Sequence, residues 1–148
     1  MSTPAPDAAA QLIQNQEDIG NAIKPYYGDE AGAKLTALLK SHVNLAAGVV
    51  MAAKGNDTTR RKSAQAMRTA NADSMADFLA GNNPNWPKHA LTDMLREHLC
   101  VTTDEAVARI KKDHAADVKA YDSIHQQTMM MADTLSSGII KQFPDKFK

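Results

Sequence analysis

Three histidines, His42, His98 and His125, fall on the apolar faces of three separate predicted helices. Imidazole nitrogens drawn from several helices, joined by one carboxylate, form a donor set suited to Fe, Mn, Zn or Cu better than to Ca or Mg. Asp117, Tyr121 and His125 follow one another at intervals of four, so they share one helical face. Asp117 is the natural carboxylate of such a site, with Glu17 as the other choice. Gln16, Glu17, Asn71 and Tyr121 place polar groups on or beside the same stripes, where they could brace the ligands by hydrogen bonds. A metal or small ligand held there could support metal-assisted redox or hydrolytic chemistry, with the substrate left open.

The spacing also limits this reading. The paired Glu-x-x-His signature of di-iron bundles is missing, and Glu97 and His98 are adjacent, hence on different faces. His114 and His125 stand eleven residues apart, roughly 16 Å of helix, too far to share an ion. A buried polar atom without a partner costs about 1–3 kcal/mol. The same residues could therefore form a polar layer whose members satisfy one another, with no ion. Both readings stay open at this level.

Other chemistry-bearing residues give weaker signals. Met129, Met130 and Met131 are consecutive and point in different directions, which suits gap-filling better than soft-metal binding. Arg60, Arg61 and Lys62 read as a solvated face at a helix start, and His89 as exposed. Cys100, between Leu99 and Val101, reads as a half-buried thiol. As the only cysteine it excludes an intrachain disulfide framework. The serines and aspartates show no triad with a base.

The elements that must position these residues are helices. The first runs from Asp7, a candidate N-cap, to Lys24, with Leu12, Ile19 and Ile23 on its apolar stripe; Pro25 ends it, and Tyr26-Tyr27-Gly28 turns the chain. The second spans Asp29–Lys54 and stops at Gly55-Asn56-Asp57. The third spans Thr58–Ala80, with a stripe of Ala64, Met67, Met75 and Phe78. Gly81 to Pro87 is the longest loop signal, with Trp86 as an anchor. A short helix covers Lys88–Leu99. A long one, capped by Thr102 or Thr103, runs from Thr103 to Phe143 with Val107, Ile110, Val118, Tyr121, Leu135, Ile139 and Phe143 on its inward stripe.

The chain of 148 residues thus reads as a single all-α domain over 1–148, with residues 1–6 extended. The expected architecture is an antiparallel bundle of four to five helices, ferritin- or hemerythrin-like in general layout, with one long C-terminal helix. Hydrophobic residues make up 43% but aromatics only 5%, a mix that suits helix-on-helix packing. Seventeen basic and seventeen acidic residues balance, which removes the electrostatic motive for nucleic acid or an anionic membrane. No apolar run is expected to reach membrane-spanning length, and the start lacks the pattern of a signal peptide. A cytoplasmic protein is the expectation.

The segments QNQEDIGNAIKPYYG, NADSMADFL, NPNWPK, AYDSIH and GIIKQFPDKF together resemble a family of small bacterial all-helical bundle proteins of unsettled function. Some members are labelled glycosyltransferase or acetylglutamate kinase. The residues here lack the strand–helix alternation and Gly-rich phosphate loop that those labels need. The family pattern opens with a further helix, where this chain has MSTPAPDAAA, and His114 stands where Trp is usual. The resemblance implies that the Asp7–Lys24 face would lie open as an apolar groove. A second copy could cover it, making the protein a non-enzymatic module that forms a homo-oligomer.

Overall fold

Residues 6–148 are described by a computed structural model, with side chains from Ala9 onward. The described chain is all-α: four helices and a terminal 3-10 turn, with no strand among the described residues. In order these are α1 (Pro6–Lys54), α2 (Thr58–Asn82), α3 (Lys88–Lys111), α4 (His114–Gln142) and the 3-10 turn Pro144–Phe147. Of the residues expected to be extended, 1–5 lie outside the described part, and Pro6 already opens α1. Asp7, expected as an N-cap, is inside the helix.

Contacts divide the chain into two compact units, Met1–Asn44 and Leu45–Lys148. The first is a hairpin. α1 consists of two helical limbs meeting at Gly28, whose φ of 86° and ψ of 171° leave the helical region. Only glycine adopts that conformation without steric cost, so the turn falls there. Pro25 lies inside the first limb instead of ending it. The limbs approach through their backbones. A methyl group on Gly20 would stand 2.7 Å from the Gly32 carbonyl oxygen, and one on Gly32 would stand 2.7 Å from that of Gly20. Lys40 and Glu17 add an ion pair across the hairpin. Leu35, Gln16 and the two glycines are buried, whereas Leu12 and Ile19 are exposed and Ile23 is half-buried.

α1 also contains an 18-residue window of mean hydropathy 1.4, of which 17% is buried. By length and composition that is enough to cross a membrane, which corrects the expectation that no apolar run reaches this length.

The second unit holds the apolar core. Asp57 caps α2, accepting from the Arg60 amide at 2.8 Å, and Asn56 makes the preceding turn with φ 52°. Ala72, Met75, Ala76 and Leu79 bury one face of α2, and Leu91, Leu95 and Leu99 bury one face of α3. The small alanines allow α3 a close approach, and α2 packs on α3 as α3 packs on α4. The loop after α2 is locked by Asn83, whose side-chain oxygen accepts from the Asn85 amide at 2.8 Å. It delivers Trp86 into the core, 4% exposed, as the sequence reading anticipated. The indole lies so close to Gly138 of α4 that a methyl there would meet its nitrogen at 1.9 Å.

The expected long helix from Thr103 to Phe143 does not exist as one rod. α3 continues from Lys88 through Thr102 and Thr103 to Lys111, and the chain breaks at Lys112, in the left-handed region at φ 59°. Asp113 then caps α4, accepting from the Ala116 amide at 3.0 Å. The count is four helices, not five.

Candidate functional site

The most developed polar arrangement lies where α2, α3 and α4 meet. Arg68 enters from the inward face of α2, at the head of the run that continues through Asn71, Ala72, Met75, Ala76 and Leu79; its side chain is 3% exposed. Its Nη1 donates to Thr103 Oγ1 at 2.8 Å and its Nη2 to Thr102 Oγ1 at 2.7 Å. Both hydroxyls point their own protons back into α3: Thr103 donates to the Leu99 carbonyl and Thr102 to that of His98, each at 2.7 Å. The two threonines are therefore free to accept, and the tertiary contact uses them in mid-helix instead of at the expected N-cap.

Arg68 Nε has no hydrogen-bond partner, and no carboxylate pairs with the guanidinium among the described residues. Burial lowers the Arg68 pKa, and the nearby Cys100 acts in the raising direction. A guanidinium stays charged in spite of such a shift, so a positive charge sits inside the unit.

One turn away, His98 Nδ1 and Gln127 Oε1 are 2.8 Å apart. Gln127 Nε2 donates to the Met94 carbonyl at 3.0 Å. That bond fixes the amide orientation: its nitrogen faces the carbonyl, so its oxygen faces the imidazole and must accept. The Nδ1 position of His98 therefore carries the hydrogen in this network. Burial, above all, lowers the His98 pKa; Gln127 acts against that and the Arg68 charge adds to it. The neutral imidazole is the favoured form. Gln127, 3% exposed, was missed in the sequence because a glutamine between polar neighbours looks solvated. The available signal was its position on the inward seam 117, 120, 124, 127, 131, 135 and 138 of α4.

The expected metal set is not gathered. His125 is exposed, a correction to its predicted inward position, because α4 turns the 118–121–125 face outward. Tyr121, at 57% exposure, goes with it. Asp117 is half-buried but is engaged by Arg109 Nε at 3.0 Å, pinning the turn between α3 and α4. His42 is half-buried in the first unit, with Gln16 and Glu17; Gln16 Nε2 donates to the Leu12 carbonyl at 2.9 Å and Glu17 pairs with Lys40. Asn71 is buried in the second unit. Among the described residues, no three His, Cys, Asp or Glu side chains converge on a point that could hold a metal ion. Cys100, expected half-buried, is exposed, and so is His89.

A second arrangement is apolar and faces solvent. On α4, Val118, Tyr121, His125, Met129, Ala132, Ser136 and Ile140 recur at intervals of three and four, and all are exposed. Val118 is 63% exposed, the reverse of its expected inward place. Residues 118 and 140 each lie eleven positions from Met129, so the stripe spans 22 residues, roughly 33 Å of helix.

Comparison of the chain with protein-family models, with curated proteins and with solved structures gives no match.

Proposed function

We propose that this protein is a non-enzymatic interaction module that forms a homodimer through the outward stripe of α4. The observation that carries the reading is the stripe itself: Val118, Tyr121, Met129 and Ile140 are all at least 47% exposed on one face of one helix. Apolar side chains aligned along a helix favour a matching helix, since each Å² removed from water contributes about 25 cal/mol. The pattern is close to self-complementary. With Met129 on a two-fold axis, antiparallel pairing sets Val118 of one copy beside Ile140 of the other, and the Tyr121 ring within one position of the small Ser136. An isologous contact of this kind closes after two copies.

The antiparallel, ferritin- or hemerythrin-like layout belongs to the same proposal for the second unit. Its support is the short connections 83–87 and 112–113, which favour each helix folding back on the one before. In this reading the Arg68, His98 and Gln127 layer is a specificity device that fixes the register of α2, α3 and α4, in the manner of buried polar groups in coiled coils.

Sedimentation equilibrium at micromolar concentration tests the dimer. The wild-type chain is expected to sediment as a concentration-dependent dimer, and a Val118→Asp/Met129→Asp variant as a monomer with unchanged helical circular dichroism. A wild type that stays monomeric, or a variant that dimerises equally well, would overturn the reading. Binding to phosphatidylcholine vesicles in place of self-association would reassign the face to a membrane.

A further inference from the structure

A cavity of about 280 Å³ opens within the second unit, between the end of α1, the start of α2 and the second half of α3. Its wall is aliphatic: Val49, Val50 and Ala53 from α1 face Ala106, Val107 and Ile110 from α3. The polar part of the lining is Arg61, Lys62, Gln65 and Thr103, with no acidic residue among them. Neither Arg61 nor Lys62 forms an ion pair with a described residue. Both stand in the first turns of α2, whose aligned peptide dipoles add to the positive potential. Thr103, which also lines the cavity, accepts through its hydroxyl from buried Arg68, so a third positive charge lies behind the wall.

An aliphatic slot rimmed by unpaired cations and lacking carboxylates has the complementarity of an amphiphilic anion. We propose that this cavity binds an unbranched aliphatic carboxylate, with its chain between the α1 and α3 valines and its carboxylate at Arg61 and Lys62. The chain gains by leaving water, and the carboxylate gains charge-assisted hydrogen bonds that a neutral head group cannot make. A phosphate or nucleotide fits less well, because the wall away from the rim offers apolar surface where further polar contacts would be needed. This binding does not depend on dimerisation through α4, which presents a different face.

Isothermal titration of the full chain with decanoate, and separately with decanol, tests the site. Saturable one-to-one binding of decanoate is expected, with decanol about tenfold or more weaker, since its head group forms no ion pair. An Arg61→Gln/Lys62→Gln variant should lose at least as much affinity for decanoate; both residues are exposed, so its circular dichroism should match the wild type. Ala106→Phe, which fills the slot from α3, should abolish binding of both ligands. Absence of saturable decanoate binding, equal affinity for acid and alcohol, or undiminished affinity in the double variant would each overturn the proposal.

Discussion

The two units of this chain bury their interiors by different means. In the first, the limbs of the hairpin meet through two glycine backbones, with Leu35 and Gln16 as the buried side chains and Lys40–Glu17 as a clasp. In the second, leucines, methionine and alanines on the facing helices are buried, as are Trp86 and a charged residue, Arg68. Backbone approach depends on the absence of a single carbon atom. Side-chain packing depends on volume and tolerates a change if the volume is kept. The units should therefore fail under different substitutions.

The largest effect is expected where the second unit borrows the first unit's device. Gly138→Ala would set a methyl 1.9 Å from Trp86 Nε1 and 2.5 and 2.8 Å from two ring carbons. The indole is held by the locked loop and would have to leave, at a cost on the order of 3–5 kcal/mol, like that of losing a buried tryptophan. Trp86 emission should shift to the red, and the urea midpoint should fall. Gly20→Ala should cost less, about 1–3 kcal/mol, because Thr36 can rotate away even though the Gly32 carbonyl cannot. Its loss should register in circular dichroism, while Trp86 reports on the second unit. Equal stability of either variant and the wild type would show that the close approach matters little.

Arg68 sharpens the comparison by its sign. Its removal to alanine leaves a cavity in the second unit and should destabilise by about 2–4 kcal/mol. Arg68→Met keeps most of the length and removes a buried charge that has no carboxylate partner. Thr102 and Thr103 keep their donor bonds to α3 carbonyls, so nothing is orphaned. Methionine should thus be neutral or stabilising, as replacement of buried charge by apolar volume often is. Chemical denaturation of the two variants decides it: if Met is as harmful as Ala, the charge contributes more than the volume.

The smallest effect is a pH dependence confined to the second unit. The folded state lowers the His98 pKa below its ordinary 6.5, so folding favours the neutral ring. That contribution is complete above 6.5 and is lost as pH falls toward the lowered folded value. Thermal midpoints should decline on acidification through this window. His98→Asn keeps a donor for Gln127 but does not titrate, so its decline should be shallower. Parallel slopes for the two proteins would remove His98 as the cause.

By itself the sequence determined the helical class, through repeated 3.6-residue periodicity, and the stops at Gly55–Asp57 and Gly81–Pro87, where glycine, asparagine and proline act on their own backbone, although α2 runs on through Gly81 to Asn82. It also marked Trp86 as an anchor, because a large aromatic in a proline-flanked loop has few other uses. What only the tertiary structure decided was the choice among local signals. Thr102 and Thr103 read locally as caps and Asp113 as a mid-helix residue; in the structure Arg68, reaching across from α2, uses the two threonines in mid-helix, and the break falls at Lys112 with Asp113 as the cap of α4. The face of α4 that carries His125 and Val118 points outward, and Gln127 points inward to His98 on α3. Side-chain type predicts burial only on average, whereas helix rotation is fixed by what lies opposite. Here Trp86 against Gly138 and His98 against Gln127 fix the rotation of α4.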